Sequence, residues 1–511
     1  MKRAIVGLAA LAAFGAATAD FDGPAPIAWR WADNITQRPN GAPVLLGDHV
    51  YTAVGSRMYC LDRTTGNLVW RYPIGEPLNA NFNTGAVVAD GIMVAAADDK
   101  SVYGVDVKTG EKVWHYIAAN HVFAQPVVAG NFVVLATSDN QLMALNLKSG
   151  TEAWSQPYVP SAGIFQSLVS WQDNVMFLTS DGLLNSLDVT TQRPAWRPQR
   201  FTNIGPLSRL AVVNDLLYVT SGSYLTALSA STGRLRWEKI VPGELRFSAA
   251  SNGDSVVCVT DSGRMFIFDR SGRPVTRTGV NLGSTPVASP SFAGKLVTIP
   301  TSNGAISLID PQSGDIVWSF IVPPMIRGMT LKGTSTGVTG SGLTATTTEE
   351  DIEVKSVPAA GPTVSEGDTL LVMAQDGSIL AFDKHLGVDK TPPVISMLWP
   401  NPGDQVSGRP PMEMVFKVTD DGSGVDIDSV QITINGEPYI PEIDRNGLYR
   451  VRVVSSGRTN QPLRDGRTSV IVSAKDWMGN STAKSFVLTV DNNLPALGSP
   501  PTTKTGGSGG L

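Results

Sequence analysis

The sequence has few of the residues on which thiol, metal and acid–base chemistry depend. Two cysteines and four histidines occur in 511 residues. Two cysteines cannot build a disulfide framework or a four-cysteine zinc site. Cys60 and Cys258 stand alone inside short apolar runs, and the sequence therefore predicts two unpaired thiols in the core.

Charge and long apolar segments are also scarce. Charged residues make up 17% of the chain, and the formal net charge is −5. That balance argues against nucleic acid as a partner, because a nucleic-acid binder needs a basic surface. After residue 17, no apolar run is as long as the roughly 18 residues of a membrane-spanning helix. We therefore expect no transmembrane segment.

The first residues have the pattern of an export signal. Lys2 and Arg3 precede a short apolar run over 4–17, and Ala17-Thr18-Ala19 supplies the small residues of a cleavage site. The pattern predicts a signal peptide over 1–19 and an exported protein. Because no cysteine stands at the cleavage point, a lipid anchor is not expected.

Glycine and proline, in contrast, are abundant, with 51 and 34 residues, and apolar residues make up 42% of the chain. This composition is typical of a globular protein with many short elements joined by turns.

A short string of residues recurs through most of the chain. It consists of Asp, two variable residues, Thr or Ser, Gly, three variable residues and Trp, as in Asp62–Trp70 and Asp106–Trp114. The Gly position is held in turn by Gly66, Gly110, Gly150, Gln192, Gly233, Gly272, Gly314 and Gly387. The first seven positions are 39 to 44 residues apart, and the last interval of 73 contains an insertion at about 328–359. Such a period is the length of one four-stranded propeller blade.

The sequence therefore predicts an all-β, eight-bladed β-propeller over residues 24–390. Within each repeat, we expect the Asp to accept turn N–H groups and the Gly to adopt a positive φ. The Trp then begins the next strand and packs on the neighbouring blade. The eighth repeat lacks this Trp, whereas Ile27–Trp31 is a Trp-containing strand with no repeat before it. We expect this N-terminal strand to complete the last blade and to close the ring.

These units resemble the Asp-x-x-Thr-Gly-x-x-x-Trp repeats of pyrroloquinoline-quinone-like (PQQ-like) propellers. That superfamily includes quinoprotein alcohol dehydrogenases and the BamB component of the outer-membrane β-barrel assembly machinery, and the resemblance covers residues 27–387. For a quinoprotein enzyme, the resemblance implies a vicinal disulfide, a Ca²⁺ ion held by acidic and Asn side chains, and a catalytic Asp. The chain has no adjacent cysteines, and neither the calcium cage nor the Asp can be matched to its positions. We therefore expect no catalytic residue and no cofactor.

After the repeats, the pattern changes to alternating strands. Thr391-Pro392-Pro393, Asp420–Asp426 and Lys475–Asn480 look like segments of bacterial immunoglobulin-like (Ig-like) domains of exported proteins. With about 100 residues of such strands, residues 391–493 are predicted to form an Ig-like β-sandwich. Residues 494–511, rich in Pro, Thr, Gly and Ser, are predicted to form a flexible tail.

Two sets of side chains are candidate binding residues. Oxygen-rich loops bind Ca²⁺, and the candidate ligands are Asp420, Asp421, Asp426 and Asp476. The alternative for these residues is a solvated Asx-turn loop. In the propeller, ligand residues are expected in the loops that lead into the innermost strands, and the candidates are Asn79, Asn81, Asn83, His121, Gln125, Gln166 and Arg246. Their alternative role is to satisfy turn backbone groups.

Because the channel candidates contain few ionisable groups, they favour binding over acid–base catalysis. The sequence thus predicts a monomeric, exported binding or scaffold protein of the cell envelope, in the periplasm or outside the cell. Its expected partners are other proteins, recognised through loops or an exposed strand edge. The alternatives are a PQQ- and calcium-dependent dehydrogenase and a BamB-like assembly factor.

Overall fold

The computed structural model describes residues 21–33, 38–276, 278–325, 330–336, 347–353, 356–410, 412–444, 447–453 and 462–495. The predicted signal peptide and residues 496–511 of the predicted tail lie outside the described residues. Within the described ranges, every regular element is a β-strand. They contain no helix of the length and apolarity that a membrane crossing requires.

The chain divides into two compact units. The first comprises residues 1–23, 27–318 and 322–387, and the second comprises residues 24–26, 319–321 and 388–511. The change of unit after residue 387 lies close to the boundary predicted from the end of the repeats.

The first unit contains eight antiparallel sheets of three to five strands, which we call blades 1 to 8. The outermost strand of blade 8 is β1 (Ile27–Trp31). Blade 1 consists of β2 (Val44–Leu46), β3 (His49–Val54), β4 (Arg57–Asp62) and β5 (Leu68–Tyr72). Blade 2 consists of β6 (Val87–Ala89), β7 (Ile92–Ala96), β8 (Ser101–Asp106) and β9 (Lys112–Ile117). Blade 3 consists of β10 (Val127–Ala129), β11 (Phe132–Thr137) and β12 (Gln141–Asn146). Blade 4 consists of β13 (Ile164–Trp171), β14 (Asn174–Thr179), β15 (Leu183–Asp188), β16 (Arg193–Pro194) and β17 (Gln199–Arg200).

The second half of the unit repeats this arrangement. Blade 5 consists of β18 (Arg209–Val213), β19 (Leu216–Ser221), β20 (Tyr224–Ser229) and β21 (Leu235–Ile240). Blade 6 consists of β22 (Ala250–Ser251), β23 (Ser255–Val259), β24 (Arg264–Asp269) and β25 (Val280–Asn281). Blade 7 consists of β26 (Ser291–Ala293), β27 (Leu296–Pro300), β28 (Ala305–Ile309) and β29 (Ile316–Ile321). A separate hairpin of β30 (Thr330–Thr336) and β31 (Thr347–Glu353) lies within the predicted insertion, and blade 8 follows with β32 (Val364–Glu366), β33 (Thr369–Met373) and β34 (Ile379–Asp383).

The innermost strand is the first strand in blades 1 to 7 and β32 in blade 8, and most of these strands contact the innermost strand of a neighbouring blade. Strand β10 contacts β6 and β13, and β13 contacts β18. In the same way, β32 of blade 8 contacts both β26 of blade 7 and β2 of blade 1. The last blade therefore meets the first, and the unit is an all-β propeller, as the repeat predicts.

The N-terminal strand completes the last blade, which confirms the sequence prediction. Strand β1 pairs antiparallel with β34, with Ile27 opposite Phe382 and Trp31 opposite Ile379. Blade 8 thus joins residues from the two ends of the propeller sequence, and its outer edge is covered by a strand.

The repeated string forms the turn that its residue types predict. In blade 1, Asp62 Oδ1 accepts the N–H groups of Thr64 and Thr65 at 3.0 and 2.8 Å. Gly66 has a φ of 70° and donates its N–H to the Asp62 carbonyl. A residue with a side chain is strained at such a φ, which explains why glycine recurs here.

In six blades, the repeated Trp bonds to the backbone of the next blade. Trp70 of blade 1 donates its Nε1–H to the carbonyl of Val107 in blade 2 at 2.8 Å. Its ring covers the turn glycine of blade 2, because a Cβ on Gly110 would lie 2.7 Å from the indole. Trp29, Trp114, Trp154, Trp196 and Trp237 make the same bond to the following blade, at 2.7 to 3.1 Å. The constant Gly–Trp spacing therefore reflects one contact, between the Trp of one blade and the turn of the next, which recurs around the propeller.

Two of these tryptophans do not begin a strand, and here the prediction was wrong. Trp154 and Trp196 lie in bends. Prolines surround both positions, as in Pro157 and Pro160 of blade 3 and Pro194 in blade 4. Proline supplies no N–H to a ladder, so the outer strand of blade 3 is reduced to isolated bridges and that of blade 4 to two short pieces.

Both cysteines are free and buried, as expected. Cys60 lies in β4 of blade 1 and Cys258 in β23 of blade 6. Burial raises the pKa of each thiol to about 12, and such thiols are poor nucleophiles at neutral pH.

The second unit contains two sheets around a common core. One sheet has the order β35 (Val394–Trp399), β37 (Met412–Thr419), β41 (Leu448–Val453) and β40 (Glu442–Asp444). The other has the order β36 (Gln405–Val406), β43 (Ser481–Val490), β42 (Gly466–Asp476), β38 (Val425–Ile434) and β39 (Glu437–Tyr439). Phe416 and Val451 of the first sheet share a buried cluster with Ile432, Val472 and Leu488 of the second. Two sheets around one core are consistent with the predicted sandwich, and its Ig-like assignment stays a prediction.

Candidate functional site: the channel mouth and an aspartate cluster

The predicted channel residues all lie near the start of an innermost strand. Asn79, Asn81 and Asn83 precede β6, His121 and Gln125 precede β10, Gln166 lies in β13, and Arg246 precedes β22. All seven residues are exposed. We call this set of segments the channel mouth, defined by the residues that lead into and begin β2, β6, β10, β13, β18, β22, β26 and β32.

Two of the predicted amides bond across the boundary between blades 2 and 3. Asn83 donates its Nδ2–H to the Val122 carbonyl at 3.1 Å, and Gln125 donates its Nε2–H to the Ala86 carbonyl at 3.2 Å. These two side chains therefore satisfy backbone groups of a neighbouring blade, which is the alternative role that the sequence left open.

Serine side chains make the corresponding bonds in the later blades, and the sequence analysis did not predict them. Ser167 Oγ of blade 4 accepts the N–H of Leu210 in blade 5 at 2.9 Å. Ser248 Oγ of blade 6 donates to the Leu210 carbonyl at 3.1 Å, and its own N–H bonds Ser289 Oγ of blade 7 at 3.2 Å. Each hydroxyl comes shortly before or at the start of an innermost strand, and this position was the available sequence signal.

Arg246 is held in ion pairs. Its Nη2 lies 2.9 Å from Glu244 and 3.4 Å from Asp261, and the hydrogen bond to Glu244 raises the pKa of Arg246. Arg246 is the only permanent cation among the predicted channel residues, so its charge is already balanced. PQQ carries three carboxylates and needs several free cations, and the predicted residues do not fit this requirement.

The channel mouth contains a second cation, which the sequence analysis did not predict. Arg209 begins β18 of blade 5 and is partly buried. Its Nη1 donates to the carbonyls of Pro206 and Ser208 at 2.9 and 3.0 Å. Burial lowers the pKa of Arg209. Only the folded chain reveals this burial, since the local sequence resembles any other strand start.

In the second unit, three aspartates come together. The carboxylate oxygens of Asp389, Asp420 and Asp476 lie within 4.8 Å of one another. Two of them, Asp420 and Asp476, were predicted calcium ligands, whereas Asp389 was missed because it precedes β35 and stands far from both in the sequence. The other predicted ligands, Asp421 and Asp426, are not part of this group.

The aspartate cluster is defined by Asp389, Asp420 and Asp476, and its carboxylates are fixed by hydrogen bonds. Asp420 Oδ1 accepts three backbone N–H groups from residues 422–424 at 2.8 to 3.0 Å. Asp476 is 2% exposed and accepts the Asn480 Nδ2–H at 2.6 Å. Burial raises the pKa of Asp420, and the charge of Asp389 adds to this effect. Proximity of like charges and oxygen donors suits a hard cation such as Ca²⁺.

We predict that Ca²⁺ stabilises the protein through this cluster. At about 1 mM, the upper range for weak extracellular sites, Ca²⁺ should raise the melting temperature of the wild type. A free Ca²⁺ concentration of ten times Kd adds about 1.4 kcal/mol to the free energy of unfolding. The increase should be lost in Asp476→Asn and kept in Asp426→Asn, because only Asp476 belongs to the cluster. Differential scanning calorimetry with CaCl₂, and with MgCl₂ for comparison, measures both.

The effect should also depend on pH. The raised pKa of Asp420 means that its proton is bound more tightly in the folded chain. This contribution to stability is complete below the ordinary Asp pKa and is lost as pH rises through the folded pKa. Protons and Ca²⁺ therefore compete, and the calcium-induced increase should shrink as the pH is lowered. A calcium effect that is unchanged by Asp476→Asn, or absent at neutral pH, contradicts the prediction.

The known proteins that are similar to this chain include members of the propeller family that the repeat resembles. The profile of the family described as outer membrane protein assembly factor BamB matches residues 27–204 and 180–331. The outer membrane protein assembly factor BamB of Burkholderia pseudomallei is 24% identical over 357 residues, which cover 67% of this chain and 83% of that protein. A tetrathionate hydrolase of Acidithiobacillus ferrooxidans is 23% identical over 302 residues, covering 47% of this chain and 58% of that protein.

A solved structure shows the same fold. BamB from Moraxella catarrhalis superimposes with a TM-score of 0.50 at 16% identity and covers 70% of this chain and 96% of its own. The family profile spans more than half of the 511 residues, and the chain therefore belongs to the family of the outer membrane protein assembly factor BamB.

Proposed function

We propose that the chain is an exported, protein-binding component of outer-membrane protein assembly in the cell envelope. The observation that carries this proposal is the family match over residues 27–331. It is supported by the relative from Burkholderia pseudomallei, since the similarity covers 83% of that assembly factor. The partners would be proteins of the assembly machinery or the outer-membrane proteins that it handles.

The outermost strand of blade 2 offers a binding edge. Strand β9 is the last strand of its sheet, and no described strand pairs with its outer side. Ala118 donates to the Lys100 carbonyl at 3.0 Å, so the alternation of an antiparallel ladder turns the backbone groups of His115 and Ile117 outwards. Val113 and Ile117 are 46% and 66% exposed. An extended segment of a partner can add to such an edge through main-chain bonds and pack on these apolar side chains.

A double variant tests this edge. Val113→Lys with Ile117→Lys places two charges on β9 without removing a buried side chain, and charged side chains block strand addition. We expect at least about a tenfold loss in the capture of outer-membrane proteins from the native envelope, equivalent to about 1.4 kcal/mol of binding free energy. Quantitative pull-down with the folded variant measures the change.

The matched control is Ile440→Lys, which replaces a 97% exposed side chain of the second unit. It should capture the same proteins as the wild type. Equal capture by the double variant and the wild type would exclude β9 as the binding edge. If the wild type enriches no outer-membrane or assembly protein over the control resin, the proposed function itself is wrong.

We propose binding rather than catalysis, because Arg246, the single permanent cation among the predicted channel residues, is paired with Glu244 and Asp261. One relative is named tetrathionate hydrolase and is an enzyme by that name. Substrate-dependent dye reduction after addition of PQQ and Ca²⁺ would instead support the dehydrogenase alternative.

A further inference from the structure

Arg209 is a partly buried cation without a carboxylate partner in the described part of the chain. The ion pairs found there involve other basic residues, including Arg246 in the adjacent blade. Two carbonyl oxygens, of Pro206 and Ser208, accept bonds from one Arg209 nitrogen. A guanidinium has five N–H donors, so most of its capacity is left for another acceptor. A partly buried, unpaired charge is costly, and pairing it with an anion recovers part of that cost.

The position of Arg209 makes it reachable from the channel mouth. The next residue, Leu210, is bonded on one side to Ser167 of blade 4 and on the other to Ser248 of blade 6. Thr220 Oγ1 bonds the carbonyls of both Arg209 and Phe247, at 3.4 and 2.9 Å. Arg209 therefore stands between the inner segments of blades 4 and 6, where all three blades begin their innermost strands.

The guanidinium of Arg209 favours one kind of anion. A guanidinium binds both oxygens of a planar carboxylate at once. The exposed Gln166 directly precedes Ser167 in the inner strand of blade 4, whereas the Phe247 side chain packs on the core cluster of blades 6 and 7. Glu244 and Asp261 lie on the next blade around Arg246, and their charges would repel a ligand with several carboxylates.

We propose that Arg209 forms a binding site for a single carboxylate group at the channel mouth, between blades 4 and 6. The carboxylate can come from a small free acid or from an Asp or Glu side chain of a peptide. The site does not depend on the proposed strand edge, because β9 and Arg209 belong to different blades.

Thermal unfolding tests the site with acetate as the probe. Sodium acetate should raise the melting temperature of the wild type above its value in sodium chloride at equal concentration and pH. The difference should disappear in Arg209→Gln and persist in Arg234→Gln, which removes an exposed cation from the same blade. Without acetate, Arg209→Gln should melt no lower than Arg234→Gln, because the removed charge was unpaired. An equal acetate effect in Arg209→Gln, or none in the wild type, overturns the proposal.

A second measurement uses only the wild type and so does not depend on a variant that folds. Phenylglyoxal modifies accessible guanidinium groups, and peptide mass mapping reports each arginine. Acetate should slow the modification of Arg209 at least about threefold and leave Arg234 unchanged. Protection of neither or of both arginines contradicts the site.

The same mapping distinguishes the two sources of the carboxylate. The probes are acetate, acetyl-Gly-Asp-Gly-amide and the Asn form of this peptide. Protection by the Asp peptide at about tenfold lower concentration than acetate, a gain of about 1.4 kcal/mol, supports a peptide ligand. Equal protection by both supports a free acid, and protection by the Asn peptide overturns the carboxylate assignment. Failure of this test leaves the β9 capture result unaffected, and the reverse also holds.

Discussion

A chain that lacks residues 20–33 is expected to melt at a much lower temperature than the intact protein, or to aggregate. The deletion removes β1, so β34 loses its partner over Ile27–Trp31 and becomes an exposed edge. It also removes Trp29, whose ring covers Gly66 of blade 1 and whose Nε1 bonds the Arg63 carbonyl at 2.7 Å. Calorimetry and size-exclusion chromatography measure the two outcomes.

The expected size of this effect follows from how many blades the segment holds together. Phe21 is 3% exposed, and its ring centroid lies 6.2 Å from that of Trp318 in blade 7. Arg30 pairs with Asp376 of blade 8 at 3.2 Å, and the ring centroid of Trp31 lies 4.9 Å from that of Tyr59 in blade 1. Burial of a large apolar side chain contributes about 1.5–3 kcal/mol. Loss of Phe21 and Trp29 alone therefore removes several kcal/mol from a total of about 5–15 kcal/mol.

A synthetic peptide of residues 20–33 provides the control. Added to the shortened chain, it should bind and restore part of the lost melting temperature, because its contacts with blades 7, 8 and 1 do not require the covalent link. A version with Trp29→Ala should restore less. An unchanged melting curve and monodisperse behaviour of the shortened chain would show that β1 does not hold the ring closed.

The sequence predicts the repeated contacts well because they are local. Asp62, the following Thr residues and Gly66 form one turn, so their spacing is fixed by a few backbone angles. The Trp contact is long-range in the chain, yet it recurs between consecutive blades and so leaves a constant period. The closing strand was predictable for the same reason, since Trp29 is the Trp that the eighth repeat lacks.

The candidate sites were harder to predict because they depend on contacts without a period. Asp389 reaches Asp420 and Asp476 only when strands from distant parts of the second unit meet. Arg209 differs from exposed arginines by its burial, and Arg246 by its ion pairs with Glu244 and Asp261. The bends at Trp154 and Trp196 depend on nearby prolines, and the prediction used only the Asp, Gly and Trp positions of the repeat.

Gly110→Ala is expected to destabilise the propeller more than Gly91→Ala, although both glycines lie in turns of blade 2. Gly110 has a φ of 72° and Gly91 a φ of 81°, so alanine costs each about 1–2 kcal/mol in the left-handed region. A Cβ on Gly91 meets no atom within 4 Å, whereas on Gly110 it would lie 2.7 Å from the Trp70 ring. The ring cannot move away without weakening its 2.8 Å bond to the Val107 carbonyl, and overpacking of this kind adds about 1–3 kcal/mol.

Urea unfolding of the two glycine variants measures the difference in their free energies of unfolding, and Trp70→Ala combined with each substitution identifies its cause. In the Trp70→Ala background the two glycine variants should lose the same free energy of unfolding, because only the backbone strain is left. Equal destabilisation in the presence of Trp70 would mean that the repeated Gly is required by the turn alone and not by the Trp of the preceding blade.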